Sequence, residues 1–117
     1  MTMLSWKDSD GARQLDLKPS EHFQILLGHK PDYSISEPPA DLMLAGHTHG
    51  GQVQLPFFGP LLTLSDVPRA HAEGANPVGN GTLIVSRGIG MEQIDAPRLR
   101  FFCWPELSVI DLLPASP

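Results

Sequence analysis

Short apolar runs bounded by glycine and proline recur along the chain. Ile-Leu-Leu at 25–27, Leu-Met-Leu-Ala at 42–45 and Leu-Ile-Val at 83–85 have the length and residue types of buried strands. Polar and apolar residues alternate over 52–55 and 98–103, which is typical of half-buried strands. Strands are therefore predicted over residues 24–28, 41–45, 52–55, 82–86, 98–103 and 106–113.

Few residues remain for helices between these strands. One helical turn is predicted over 32–36, and a long loop with one short helix over 56–81, because prolines and glycines recur there. Asn80 and Gly81 favour a hairpin just before the strand at 82–86. We expect an α/β chain made mostly of strands and loops, in which helices to cover the sheet faces are largely missing.

Composition limits the classes of protein that fit. The chain has 117 residues, which is enough for one domain at most, and 12 prolines and 11 glycines make it rich in loops. Its net charge of −5 offers no basic surface for nucleic acid or anionic membrane. No segment is as long and apolar as a membrane span, and the N-terminus lacks a signal-peptide pattern, so a cytoplasmic location is expected. Residues 1–22 are weakly patterned, whereas 23–117 carry the regular elements.

Histidines follow two of the predicted strands. Residues 46–51 read Gly-His-Thr-His-Gly-Gly, and in extended backbone His47 and His49 would point to the same side. His29 follows the strand at 24–28 after another glycine. Neutral imidazole is a common ligand of transition metals, so His29, His47 and His49 are predicted to share a metal site. The alternative is that the three rings cap strands by bonding to backbone carbonyl groups.

These motifs resemble the calcineurin-like metallophosphoesterase superfamily, and most closely its bacterial branch with Gly-His-Thr-His-Gly-Gly-Gln. The similarity runs over about 23–113 and includes Ser-Arg-Gly-Ile-Gly at 86–90 and Ala-Pro-Arg-Leu-Arg at 96–100. The resemblance implies part of a two-sheet αββα sandwich that hydrolyses phosphomonoesters or phosphodiesters. It also implies two divalent ions (Mn, Fe or Zn) that activate a water, with His29 and His47 binding one ion and His49 the other.

The sequence departs from the family pattern at its N-terminal end. The blocks Asp-x-His, Gly-Asp-x-x-Asp and Gly-Asn-His-Asp/Glu, which supply carboxylate ligands and the catalytic histidine, do not occur before Phe23. We therefore expect 23–117 to be the C-terminal half of a phosphoesterase domain, with no catalytic residue identified and activity of the chain alone in doubt. The alternative is a non-catalytic metal-binding module or subunit that needs a separate N-terminal half or second chain.

Other polar residues allow two interpretations each. Arg87 follows the strand at 82–86 and would either face a substrate phosphate or fix the glycine turn. Asp32 and Asp41 would either orient histidine ligands or cap local turns. Cys103 lies within an apolar run and is predicted to be a buried small side chain.

Overall fold

A computed structural model describes residues 3–6, 17–95 and 98–114 of the chain. Its strands are β1 (Met3–Trp6), β2 (Ile25–Gly28), β3 (Leu42–Ala45), β4 (Gln54–Leu55), β5 (Gly59–Pro60), β6 (Gly74–Val78) and β7 (Gly81–Val85). Three 3-10 helices span Pro31–Ser36, His49–Gly51 and Arg69–His71, and these described ranges contain no α-helix. The expectation of a chain made mostly of strands and loops is confirmed.

Five strands form a mixed sheet in the order β1-β2-β3-β7-β6. The pairs β1/β2, β2/β3 and β3/β7 are parallel, whereas β6 and β7 form an antiparallel hairpin. The hairpin is confirmed, but its turn lies at Gly79 and Asn80, one residue before the predicted Asn80 and Gly81, because Gly81 pairs with Val78. Because β2 and β3 are parallel neighbours, His29 and residues 46–51 emerge at the same edge of the sheet.

One face of this sheet carries the core. Leu26, Met43 and Leu83 occupy one register row across β2, β3 and β7, and all three are buried. Tyr33, from the 3-10 helix Pro31–Ser36, packs into the same cluster and donates a hydrogen bond to the Leu44 carbonyl at 2.7 Å. Gly28 has no side chain for a physical reason, since a Cβ there would overlap the Tyr33 ring.

Several element predictions are wrong at the C-terminal end. No strand forms over 106–113, and the predicted strand at 98–103 is reduced to a single bridge between Phe101 and Val53. Alternating polarity predicted the strand at 98–103, but in the part of the chain that the structure describes, residues 98–113 have only that one paired position. Leu107 and Val109 are consequently exposed.

Three strands were not predicted. β5 and β6 lie in the range that was assigned to a loop because of its prolines and glycines, yet β5 pairs with β4, and the pairing of β6 with β7 makes β6 a sheet edge. β1 lies within the weakly patterned residues 1–22 and pairs with β2. The division of the chain at residue 22 stays a prediction.

Candidate metal centre

The backbone after β3 leaves the extended conformation at the histidine motif. His47 and His49 adopt φ values of 67° and 48°, and Gly50 and Gly51 also have positive φ. The extended backbone that was expected at this motif is therefore wrong, while the joint use of His47 and His49 in one site stays a prediction. Thr48, between them, is buried and donates a hydrogen bond to the Ala72 carbonyl at 2.7 Å, which fixes this tight loop to the chain at Arg69–His71.

His29 and His47 meet directly at the sheet edge. Their Nε2 and Nδ1 atoms are 3.0 Å apart, and the backbone N–H of Gly46 donates to the His29 carbonyl at 3.1 Å. Two nitrogens bound to one metal ion at about 2.0–2.1 Å would lie about 3.0–3.4 Å apart, so this spacing fits a shared ion. The carboxyl ends of the neighbouring parallel strands β2 and β3 bring the two rings together, as the sequence predicted.

The other nitrogen of His47 points away from this contact. His47 Nε2 is buried and makes no hydrogen bond of ordinary geometry among the described residues, although the backbone of Leu64 lies close enough to the ring to raise its pKa. A buried polar atom without a partner costs free energy, so an unsatisfied nitrogen in a native fold calls for an explanation. An ion between His29 Nε2 and His47 Nδ1 could not also reach His47 Nε2, because the two nitrogens of an imidazole ring point away from each other. The fit of these residues to a shared ion therefore rests on the 3.0 Å contact, and a partner for Nε2 would be a separate group.

Burial lowers the pKa of both histidines of the motif. Desolvation is the main cause at His47, followed by the positive charges of Lys30 and His29. Desolvation is again the main cause at His49, followed by the guanidinium of Arg100. A lowered pKa keeps imidazole neutral near pH 7, which is the form that binds metal.

His49 is held in a different way from the other two histidines. Its carbonyl accepts from the Cys103 thiol, with Sγ at 3.1 Å, and its ring lies against Gly90. Across residues 17–95 and 98–114, no three His, Cys, Asp or Glu side chains are grouped so that they could hold an ion. The structure thus brings His29 and His47 together, while a shared site for all three histidines stays a prediction.

Arg87 is bound by two carboxylates. Its Nη2 and Nε lie 2.7 Å and 2.9 Å from Glu106 Oε2, and Nε lies 3.3 Å from Glu73 Oε2. Glu73 also accepts from the Gln54 amide at 2.8 Å. These contacts support the interpretation that Arg87 fixes the turn after β7, and its role in binding substrate stays a prediction.

The two aspartates considered as histidine partners bind other groups. Asp41 accepts from the backbone N–H of Gln24 at 2.7 Å. Asp32 accepts from the Ser65 hydroxyl and from the Asp66 N–H. Both therefore support turns rather than histidines, while Cys103 is buried as predicted and burial raises its pKa.

No pattern in the sequence indicated the contacts that Arg100 makes. It was expected on the exposed face of a strand, but its guanidinium donates to backbone carbonyl groups around the site. Gln52 was also missed: it is buried, and its side chain bonds to the backbone of Glu92. Only the tertiary arrangement of loops reveals either contact.

Comparison with known proteins gives the family context for this site. The chain is 42% identical over 92 residues to the metallophosphoesterase YkuE of Bacillus subtilis, an alignment that covers 77% of this chain and 31% of YkuE. The chain is a homologue of bacterial metallophosphoesterases. It is also 34% identical over 93 residues to the phosphodiesterase YaeI of Escherichia coli, covering 77% of this chain and 32% of YaeI. The resemblance inferred from the motifs is confirmed.

A third relative is named for pyrophosphate hydrolysis. The UDP-2,3-diacylglucosamine pyrophosphatase LpxG of Chlamydia muridarum is 32% identical over 98 residues, covering 76% of this chain and 29% of LpxG. The chain therefore spans about one third of the length of these relatives. No family model and no solved structure matches it. In the described residues, no helix has the length and apolar character needed to span a membrane.

Proposed function

We propose that this chain is the C-terminal, histidine-bearing part of a metal-dependent phosphoesterase with a two-sheet αββα sandwich. The observation that carries the proposal is the 3.0 Å separation of His29 Nε2 and His47 Nδ1 at the ends of two neighbouring parallel strands. Relatives named metallophosphoesterase and phosphodiesterase support the same chemistry. The bonds attacked would be phosphomonoesters or phosphodiesters.

His29 and His47 would hold one divalent ion, and His49 would hold the second. When bound, such ions polarise phosphoryl oxygens and lower the pKa of a water. The chain itself contributes neutral imidazoles, because burial lowers the pKa of His47 and His49. The chemistry of a nitrogen ligand set completed by carboxylates suits Mn, Fe or Zn.

Carboxylate ligands and a catalytic histidine would have to come from elsewhere. Two dications held by imidazoles alone repel each other, so an anionic group between them is required. We propose that a polypeptide carrying the Asp-x-His, Gly-Asp-x-x-Asp and Gly-Asn-His blocks supplies it, either as the rest of the same protein or as a second chain.

The test measures hydrolysis of p-nitrophenyl phosphate and its bis ester with Mn²⁺ present. The chain is assayed alone and with a polypeptide that carries the three blocks. We expect turnover only in the combined sample, and its loss in a His47→Ala variant but not in a His71→Ala variant. Equal turnover with both variants would reject the assignment.

The second candidate is a metal-binding module without catalysis. It is favoured by the absence of the Asp-x-His, Gly-Asp-x-x-Asp and Gly-Asn-His blocks from this sequence. One ion per chain, with no turnover in the combined sample, would support this module. Two ions per chain with turnover would exclude it.

A further inference from the structure

Arg100 lies among backbone carbonyl groups from three separate segments. Its Nη2 donates to the carbonyls of Arg87 at 2.8 Å and Gly88 at 3.1 Å, and its Nε donates to Gly90 at 3.1 Å. Its Nη1 donates to the carbonyls of Cys103 at 3.3 Å and His49 at 3.5 Å. A guanidinium has five N–H donors in one plane, so it can join several acceptors that no ammonium could join at once.

Arg98 provides an internal comparison two residues away. It is exposed, and its Nε donates to a single carbonyl, that of Gln93, at 3.2 Å. The two arginines share a charge and a local sequence pattern, but only Arg100 turns into the site. An exposed basic strand face, which the sequence predicted for both, therefore describes Arg98 alone.

The contacts of Arg100 converge on His49 from two directions. Its Nη1 shares the His49 carbonyl with the Cys103 thiol, and this holds a backbone whose φ is 48°. On the other side, Nη2 and Nε hold the turn that includes Gly90, and a Cβ at Gly90 would lie 3.7 Å from His49 Cε1. Arg100 thus fixes both the main chain of His49 and the surface against which its ring rests.

We propose that Arg100 is a positioning residue that sets the orientation of His49 as a metal ligand. The proposal rests on the function proposed above, because it requires His49 to bind an ion. Groups that orient a ligand typically change metal affinity about 10–100-fold when they are removed. An unpositioned His49 ring would have to be ordered again at each binding event, which weakens the site.

The test measures the dissociation constant for Mn²⁺ by calorimetric titration. Every variant is compared in the same form of the protein, either the chain alone or the chain with the polypeptide that supplies the other blocks. We expect Arg100→Gln to raise the dissociation constant for Mn²⁺ about tenfold. Arg98→Gln, the matched control, should change it less than about twofold, because Arg98 holds only one carbonyl. Arg100→Lys should behave like Arg100→Gln, since an ammonium keeps the charge but loses the planar fork. Full affinity in Arg100→Lys would overturn the proposal.

A double-mutant cycle separates positioning from a general structural effect. In a His49→Ala background, Arg100→Gln should cause no further loss of affinity, because the ligand that it positions is gone. Equal losses in both backgrounds would show that Arg100 only supports the fold. Circular dichroism and thermal melting identify variants that do not fold. If Arg100→Gln does not fold, Arg100→Lys takes its place in the double-mutant cycle with His49→Ala.

Failure of this inference is distinguishable from failure of the proposed function. If His49→Ala weakens Mn²⁺ binding and Arg100→Gln does not, only the role of Arg100 is wrong. If His47→Ala and His49→Ala both leave affinity unchanged, the metal site itself is wrong, and the inference falls with it.

Discussion

The sheet and the loops at its edge are held together by different forces. In the sheet, Leu26, Met43 and Leu83 form a buried row, and paired backbones supply regular hydrogen bonds. In the strand-end loops, defined here as 46–54, 87–90 and 100–103, side chains bond to carbonyl groups and glycines permit close approach. We infer that the stability of the chain comes mainly from the sheet, whereas the geometry of the site depends on a few polar contacts.

The largest expected effect is on the sheet. Leu83→Ala removes a fully buried side chain from its central row and should lower the free energy of unfolding by about 2–5 kcal/mol. Leu107→Ala, at a position that is 82% exposed, should change it by less than about 0.5 kcal/mol. Urea unfolding measures both. Similar losses would mean that the C-terminal segment is packed after all.

A glycine in the strand-end loops should be nearly as sensitive. Gly50 has a φ of 61°, and a Cβ there would lie 2.7 Å from Arg87 Cγ and from Cys103 Sγ. Gly50→Ala should therefore cost about 1–3 kcal/mol through strain and overpacking. Gly46→Ala is the control, because a Cβ at Gly46 meets nothing within 4 Å. Unfolding by urea should separate the two variants, and equal stability would contradict the tight packing described.

Replacement of His47 should affect metal binding more than folding. His47→Ala should weaken Mn²⁺ or Zn²⁺ affinity at least about tenfold, which corresponds to about 1.4 kcal/mol. His71→Ala should leave affinity unchanged, since His71 ends the 3-10 helix Arg69–His71 and is neither of the two rings that meet in the His29–His47 contact. Elemental analysis after dialysis compares the variants, and equal metal loss would reject the histidine assignment.

Acid should weaken the metal-free fold in a defined window. Because the pKa of His47 and His49 is lowered from 6.5 in the folded chain, the unfolded chain binds more protons below about pH 6.5. The free energy of unfolding should therefore fall as pH drops from 7.5 through 6.5 towards the lowered folded values. A His47→Gln, His49→Gln double variant should lose less stability across that range. Thermal melting tests this, and an unchanged pH profile in the double variant would count against burial of the rings.

The smallest effect is expected from the ion pair of Arg87. Glu106→Gln weakens a half-exposed contact, so it should lower the free energy of unfolding by less than about 1 kcal/mol. The difference should shrink further in 1 M salt, which screens such charges. Glu21→Gln, at an exposed position, is the control. A loss above about 2 kcal/mol, independent of salt, would show that the Glu73–Arg87–Glu106 network is part of the core.

The strands that are apolar throughout, and the histidine motifs that follow two of them, could be predicted from the amino-acid sequence alone. β2 and β3 lie within the predicted ranges and β7 is displaced from its range by one residue, because continuous apolar runs are stable only when buried. Their shared edge followed from the rule that parallel strands end on the same side, and this predicted the contact of His29 with His47. The glycine-flanked motif also identified the metallophosphoesterase relationship.

The remaining strand pairings and the contacts between loops depend on the tertiary structure. β6 forms because β7 offers it a partner, whereas 106–113 has a strand-like pattern but pairs with no strand in the described residues. Several features of the site depend on segments that are distant in sequence. They are the left-handed backbone at His47 and His49, the contacts of Arg100, and the ion pair between Arg87 and Glu106. Hydrophobic periodicity reports which residues avoid water, but hydrogen bonds between loops depend on where the loops meet, and local patterns do not encode that position.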